Sequence, residues 1–312
     1  MRVIAVIGDS HTWGEGATGY KNVFSDISLQ EAGCLWFLPF YIPSFVNLLR
    51  NKINESTDSF AEEDTEIHKL PYAFKTSAGV VRLQLFANDD GQKADVYIND
   101  KLYNSYTVSR NTVPREFVTV TIRNSEPAKI RIVGNAFIYR IEEYFGEYAI
   151  VNCGVGSCPT FRYTDEQWNR LVEPLNASIF LIEPCTINDW LASTTTDEYY
   201  ANTLRLLDMA KNSGITLMMT VSPILGEQVN MSSDAKCNYS EYIEKSVEAA
   251  RDLDIPVIDT NRAISEKISG MSDVESLKYM FSDIWHPNGL GHRIYAETVF
   301  LEIKKILSDE TS

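Results

Sequence analysis

The sequence lacks an excess of positive charge and lacks long hydrophobic runs. Its 312 residues include 28 Lys and Arg against 43 Asp and Glu, which gives a net charge of −15. Nucleic acids and anionic membranes bind basic protein surfaces, so neither is an expected partner. No apolar segment approaches the roughly 20 residues that a membrane-spanning helix needs.

Paired cysteines are lacking as well. The sequence has five scattered cysteines and no C-x-x-C pair, so neither a disulfide framework nor a structural zinc site is predicted. They are Cys34, Cys153, Cys158, Cys185 and Cys237. Residues 1–7 lead directly into Gly8 and leave no room for the basic, apolar and cleavage segments of a secretory leader. We therefore expect a soluble cytoplasmic protein, unless a leader has been removed.

The composition is that of a globular protein, with 44% hydrophobic and 23% charged residues. Towards both ends, apolar segments alternate with amphipathic helices, which is typical of a parallel sheet covered by helices. The predicted strands are residues 2–8, 149–155, 177–184, 215–223 and 255–260. The predicted helices are about 43–53, 164–174, 197–213, 238–253, 261–270 and 288–307, the last with Tyr295, Val299, Ile303 and Ile306 on one stripe.

The middle of the chain has a different pattern. Residues 58–66 are acidic and polar and are predicted to form a linker. Apolar and polar residues then alternate in four short segments separated by turn sequences. These segments are residues 80–86, 94–100, 117–123 and 128–134. We predict an α/β domain, residues 1–54 and 148–312, interrupted by a small all-β sandwich at 55–147. The predicted core of this insertion is Val81, Leu83, Leu85, Val96, Ile98, Val118, Val120, Ile130 and Ile132.

Polar residues are carried by three loops, each after a strand-like segment, and the first two loops hold Ser10 and Asn188. Ser10 follows Gly8 and Asp9 at the end of the first strand, where a strand-to-helix turn can present a serine to substrate. Asn188 follows the third strand, and its amide can donate to an oxyanion. An N-cap serine and an Asn-Asp turn are the structural alternatives. The carboxyl ends of parallel strands share one edge, so we expect these loops to converge.

A third loop near the end of the chain supplies a base. A nucleophilic serine needs a base, and the base needs a carboxylate to orient it. Asp283 and His286 lie on one loop and can provide both groups. Of the other histidines, His68 lies in the insertion, His292 lies inside a predicted helix and His11 adjoins the serine. His286 is therefore the predicted base.

In their order, these loops resemble the sequence blocks of the SGNH (GDSL-type) hydrolase family. The family has a G-D-S block, a glycine loop, an N-D block and a D-x-x-H block before a helix. The matching segments here are Gly8-Asp9-Ser10, residues 152–157, Asn188-Asp189 and residues 283–286. The resemblance covers most of the chain outside the insertion. Three residues depart from the family pattern. They are His11, where an aliphatic residue is commoner, and Ser157 and Thr186, where glycines are usual.

The resemblance implies a three-layer, flavodoxin-like fold and a serine esterase. Ser10 would attack an ester carbonyl, His286 would take its proton, and Asp283 would hold His286. The oxyanion would be bound by the N–H of Ser10, the N–H of Gly156 or, less favoured, of Ser157, and the side chain of Asn188. The mechanism requires no metal and no organic cofactor.

Three tryptophans lie close to these blocks and bear on the substrate, namely Trp13, Trp190 and Trp285. Indole rings beside a small acyl site suit a sugar, and core packing is the equal alternative. The insertion is reminiscent of the carbohydrate-binding modules of some family members. We therefore expect O-acetyl groups on a carbohydrate or small molecule as the substrate. A lipase, arylesterase or thioesterase, or a noncatalytic carbohydrate-binding protein, remain the alternatives. The insertion could instead serve assembly of a homo-oligomer.

Overall fold

The structure, a computed structural model, describes residues 1–14, 44–56, 60–64, 66–110, 117–225, 239–282 and 285–309. The described strands, in chain order, are β1 (Arg2–Gly8), β2 (Phe60–Asp64), β3 (His68–Lys69), β4 (Tyr72–Thr76), β5 (Val80–Phe86), β6 (Gln92–Ile98), β7 (Lys101–Val108), β8 (Val118–Arg123), β9 (Ala128–Gly134), β10 (Phe137–Phe145), β11 (Tyr148–Gly154), β12 (Ile179–Ile182), β13 (Ile215–Met219) and β14 (Val257–Ile258).

The described α-helices are α1 (Ser10–Trp13), α2 (Phe45–Ser56), α3 (Thr160–Arg162), α4 (Thr186–Leu191), α5 (Thr196–Lys211), α6 (Tyr239–Asp252), α7 (Thr260–Ile268), α8 (Asp273–Met280) and α9 (Gly289–Asp309). A π-helix (Tyr163–Val172) and a 3-10 turn (Glu173–Leu175) follow α3. None of the described helices is long and apolar enough to cross a membrane.

The chain divides into two compact units. One unit contains the described residues 2–14, 44–56 and 150–309, and its sheet has the strand order β11-β1-β12-β13-β14. The pairings β1–β12, β12–β13 and β13–β14 are parallel. A parallel sheet with helices was predicted from the alternating strands and helices, and this α/β class is confirmed. If these five strands are numbered by their order along the chain, their order across the sheet is 2-1-3-4-5. In sheets with this order, ligand sites form beyond the carboxyl ends of the strands, here at β1 and its neighbour β12.

The other unit contains Met1 and the described residues from 60 to 149. It has two antiparallel sheets, β2-β10-β5-β8, with β3 also on β10, and β4-β9-β6-β7. Side chains from both sheets form one hydrophobic cluster, and every predicted core residue lies in it or against it. Those fully within it are Val81, Leu83, Leu85, Val96, Val120, Ile130 and Ile132, while Ile98 and Val118 are partly buried.

The predicted linker at 58–66 is wrong, because Phe60–Asp64 forms strand β2 on β10. Strand β10 was itself not predicted, because its charged residues interrupt the apolar pattern. Two of them, Arg140 and Glu142, are buried and lie 3.2 Å apart in an ion pair. Arg82 of β5 joins the same carboxylate at 3.2 Å. Buried charges that are paired in this way can occupy strand positions that sequence patterns assign to loops.

Three helical segments of the α/β unit also differ from prediction. The segment predicted as a helix at 164–174 is mostly the π-helix. On α9, the predicted stripe residue Ile306 is half-buried, and Leu307 is the buried residue of the last turn. Helix α8 was not predicted, although Ser272 and Glu275 form the capping box that marks its start.

Candidate active site

The serine lies where β1 passes into α1. Asp9 caps this helix by accepting the backbone N–H of His11 at 3.0 Å. Gly8 leaves no room for a side chain, since a Cβ there would lie 2.3 Å from Thr12 Oγ1 and 2.4 Å from Glu183 Oε2. The close approach of these groups fixes the turn and places Ser10, 4% exposed, at the start of the helix.

His286 lies beside this serine. Its Nε2 is 2.9 Å from Ser10 Oγ, within the range of a nucleophile–base hydrogen bond. Two backbone hydrogen bonds fix the loop that carries His286. The N–H of Ser282 donates to the His286 carbonyl at 2.9 Å, and the N–H of Asn288 donates to the Met280 carbonyl at 2.8 Å. The arrangement can move a proton from the hydroxyl to the imidazole.

The predicted carboxylate partner of this histidine is Asp283. Residues 283 and 284 lie outside the described residues. The role of Asp283 therefore stays a prediction.

Asn188 lies on α4 at the same end of the sheet. Its Nδ2 donates to Asp9 Oδ2 at 2.7 Å, which orients the amide towards the nucleophile's turn. The Nδ2 group carries a second N–H that this bond does not use. The neighbouring Thr186, at a glycine position of the resembled family, is buried, and its hydroxyl bonds the hydroxyl of Tyr199 at 2.8 Å. Thr186 thus points into the core.

The glycine loop after β11 packs against α1. Asn152 Nδ2 donates to the Thr12 carbonyl at 3.0 Å, and Asn152 Oδ1 accepts the N–H of Gly154 at 2.8 Å. A Cβ on Gly154 would lie 2.3 Å from the backbone nitrogen of Trp13, so only glycine fits there. Gly156 is buried against the Trp13 ring, whereas Ser157 is exposed with a φ of 55°. Which of the two N–H groups serves the oxyanion stays a prediction.

The hydrogen bonds around Asp9 were not predicted from the sequence. The N–H of Asp9 donates to Glu183 Oε2 at 2.8 Å, and Asp9 Oδ1 lies 3.0 Å from His11 Nδ1. Burial raises the pKa of Asp9, but the facing His11 outweighs it and holds the pKa below its usual value. Burial, together with the charge of Asp9, raises the pKa of Glu183 well above its usual value. Of the two carboxyls, Asp9 therefore ionises more readily and Glu183 holds its proton more strongly.

These residues also form one of the two groups of described side chains that could surround a metal ion, Asp9 with His11 and Glu183. In this group, Asp9 and His11 bond each other, and Glu183 accepts a backbone N–H. The other oxygen of Glu183, Oε1, is buried without a hydrogen-bond partner among the described residues. The other group, Asp64, Glu66 and His68, lies in the all-β unit, and His68 Nε2 is bonded to Asp64 at 2.7 Å.

The three tryptophans differ in their surroundings. Trp190 is 1% exposed, with its ring 5.8 Å from Tyr239 and 6.4 Å from Trp285. This favours the core-packing alternative for Trp190. Trp13 and Trp285 are both partly exposed. Their contact with substrate stays a prediction.

Two further residues near the site, Glu183 and Ser222, could have been found from the sequence. Glu183 directly follows β12 and Ser222 lies three residues beyond β13, so both follow the carboxyl ends of parallel strands, at the same sheet edge as Ser10. Ser222 Oγ donates to the carbonyl of Trp285 at 3.2 Å, and its N–H donates to the Tyr295 hydroxyl. Ser222 thereby supports the loop that carries His286.

No protein-family model and no curated protein sequence matches the chain. Among solved structures, a peptidoglycan O-acetylesterase is similar over 99% of this chain and 92% of its own, with a TM-score of 0.59 and 12% identity. LAE5, an alpha/beta hydrolase from the metagenome of Lake Arreo, Spain, is similar over 96% and 94%, with a TM-score of 0.50 and 12% identity. Axe2, an acetylxylan esterase from Geobacillus stearothermophilus, matches 50% of this chain and 72% of its own, with a TM-score of 0.42 and 20% identity. In fold, the chain resembles the SGNH hydrolases.

Proposed function

We propose that this protein is a serine esterase that removes acetyl groups from a carbohydrate. The observation that carries the proposal is the 2.9 Å distance between Ser10 Oγ and His286 Nε2, at the sheet edge where ligands bind in this topology. Asn188 adds an amide donor that is held beside the nucleophile by Asp9.

In the proposed reaction, Ser10 Oγ attacks the ester carbonyl carbon while His286 takes the hydroxyl proton. The carbonyl oxygen becomes an oxyanion and is stabilised by the N–H of Ser10, the second N–H of Asn188 and a backbone N–H at Gly156 or Ser157. His286 then gives the proton to the leaving alcohol oxygen as its bond to the acyl carbon breaks, which leaves an acetyl group on Ser10 Oγ. In the second half, His286 takes a proton from water as the water oxygen bonds to the acyl carbon, and it returns the proton to Ser10 Oγ as the Oγ–acyl bond breaks and acetate leaves. Asp283 would hold the imidazolium formed in both halves.

Two observations support an acetylated carbohydrate as the substrate. A solved structure that is similar over 99% of the chain is named a peptidoglycan O-acetylesterase. Trp13 and Trp285 are partly exposed residues close in sequence to Ser10 and His286, and an indole there could stack on a sugar. We also infer that the all-β unit is a β-sandwich inserted into the hydrolase domain, and that it takes part in choosing the glycan.

Replacing Ser10 by Ala tests the nucleophile. We expect hydrolysis of 4-nitrophenyl acetate to fall by about 10³-fold or more, and His286→Ala to be similarly severe, because residues acting as a unit are not additive. Ser246→Ala removes another buried serine, on α6, and should leave the rate unchanged. Substantial activity in folded Ser10→Ala would end the serine-esterase proposal.

The acyl group and the alcohol are tested by two measurements on the unaltered protein. A pocket built for acetyl should lose about 1–3 kcal/mol of transition-state binding on longer acyl chains, so rates should drop between acetate and butyrate esters. Acetate release from a panel of acetylated oligosaccharides identifies the glycan. A preference for octanoate or longer esters would point to a lipase or thioesterase instead.

A further inference from the structure

His11, the residue after the proposed nucleophile, is 1% exposed, and both of its ring nitrogens face oxygen atoms. Nδ1 lies 3.0 Å from Asp9 Oδ1, and Nε2 lies 3.0 Å from the carbonyl oxygen of Trp285. A carbonyl oxygen can only accept a hydrogen bond, and so can an ionised carboxylate. With Asp9 ionised, both ring nitrogens face acceptors, an arrangement that fits an imidazolium with a hydrogen on each nitrogen.

This ring connects the two halves of the catalytic pair. His11 follows Ser10 on α1, and Trp285 precedes His286 on the loop after α8. The Trp285 carbonyl also accepts a hydrogen bond from Ser222 Oγ at 3.2 Å, so two donors hold it. The rings of His11 and His286 are 5.2 Å apart and tilted by 42°, so His11 lies beside the base without taking its place.

We propose that protonated His11 is a positioning residue, which ties the nucleophile's helix to the loop that presents His286. The proposal rests on the esterase function proposed above for its catalytic consequence. A neutral ring could donate to only one of its two partners, and its other nitrogen would face an oxygen lone pair. Loss of one proton would thus break the ring's bond to the Trp285 carbonyl or to the Asp9 carboxylate and loosen the Ser10–His286 geometry.

The surroundings favour the charged ring. In the described part of the chain, the titratable groups facing His11 are Asp9, Glu183 and His286. Asp9 lies in contact with the ring, whereas burial and the charge of Asp9 raise the pKa of Glu183, which favours its protonated form. The charge that faces the imidazolium at close range is therefore the Asp9 carboxylate. At alkaline pH, loss of the His11 proton should therefore lower the turnover rate.

The charge state can be observed directly by NMR of the full chain labelled with [15N]histidine. The His11 signals are identified by their absence from His11→Leu or, if that variant does not fold, from His11→Gln. We expect both ring nitrogens of His11 to show protonated-type shifts at about pH 7, where a free histidine is mostly neutral. A neutral tautomer at that pH would overturn the proposal. This readout does not depend on esterase activity.

Kinetics test the positioning role. In His11→Leu, kcat on 4-nitrophenyl acetate should fall about 10- to 100-fold with KM nearly unchanged, because small displacements of catalytic groups are costly while the ring does not touch substrate. His11→Gln keeps one donor for the Trp285 carbonyl and should recover part of kcat. The control His68→Leu removes a histidine bonded to a carboxylate in the all-β unit and should keep the wild-type kcat.

The pH profile separates positioning from mere stability. The alkaline fall in wild-type kcat should track the deprotonation of His11 seen by NMR, and it should be absent from His11→Gln. Wild-type kcat in folded His11→Leu, or an alkaline limb that does not follow His11, would overturn the proposal. A protein with protonated His11 that hydrolyses no ester would overturn the esterase function and leave the His11 link itself standing.

Discussion

At the scale of single residues, Asp189 has an unusual position beside Asn188. Its Oδ2 accepts the N–H of Thr160 at 2.6 Å, but burial dominates and raises the pKa of Asp189 to about 6. The folded-state pKa thus lies above the unfolded value of 3.8. Protonated Asp189 therefore contributes to the free energy of unfolding. This contribution is fully present below pH 3.8 and is lost as pH rises through about 6.

We therefore predict that Asp189→Asn flattens the pH dependence of stability. Asparagine keeps an oxygen for the Thr160 N–H and does not ionise. Relative to the variant, the wild-type free energy of unfolding should fall by roughly 3 kcal/mol between about pH 4 and 7. Urea unfolding of both proteins across this pH range measures the free energy of unfolding. Asp208→Asn, on the exposed face of α5, should follow the wild-type curve. Parallel curves for wild type and Asp189→Asn would contradict the prediction.

The sequence was informative about single residues where chemistry follows a local pattern. Ser10 and Asn188 were found because each stands in a short block after a parallel strand, whereas the loop of His286, expected after a strand-like segment, follows helix α8. The structure brings His286 to Ser10 and Asn188 to Asp9. The bonds of Asp9 to Glu183 and of His11 to Trp285 join residues 174 and 274 positions apart. No pattern in one sequence encodes such pairs, because their distance is set by tertiary packing.

At the scale of elements, the loop carrying His286 depends on the cap of α9. Asn288 Oδ1 accepts the N–H of Leu290 at 2.9 Å, and Asn288 Nδ2 donates to the Tyr279 carbonyl at 3.1 Å. One side chain thus starts α9 and ties it to the end of α8, so that residues 285–287 are held between two fixed helices.

We predict that Asn288→Ala destabilises the protein by about 1 kcal/mol, because the helix loses its cap acceptor. Urea unfolding gives this value, and kcat on 4-nitrophenyl acetate should fall as well, because the loop of His286 is less constrained. Asn288→Asp is the matched control, since it keeps the cap oxygen and should retain most of the stability. Equal losses in both variants would show that the bond to Tyr279 matters and the cap does not.

Elements were predictable where periodicity was undisturbed. The parallel strands are continuous apolar runs because they are covered on both faces, and these runs stood out in the sequence. Strand β10 carries Arg140 and Glu142, whose burial is made possible by ion pairing with each other and with Arg82. The π-helix has the apolar pattern of an α-helix, and its wider turn follows from packing that the pattern does not contain.

At the scale of the whole molecule, two units with separate cores share one chain. The all-β unit buries its own cluster between two sheets, and the α/β unit carries Ser10, Asn188 and His286. A unit with its own core can be lost without removing the core of the other. The chemistry and the choice of substrate can therefore be tested separately.

We predict that replacing residues 57–147 by a short Gly/Ser linker leaves the chemistry intact and removes glycan selection. The variant should keep its rate on 4-nitrophenyl acetate, because Ser10 and His286 belong to the α/β unit. Acetate release from the preferred acetylated oligosaccharide should fall, because the unit that we propose helps to choose the glycan is gone. Circular dichroism verifies that the α/β unit is folded. If the variant keeps its rate on both substrates but forms smaller oligomers in solution than the full chain, the all-β unit serves assembly of copies of this chain instead.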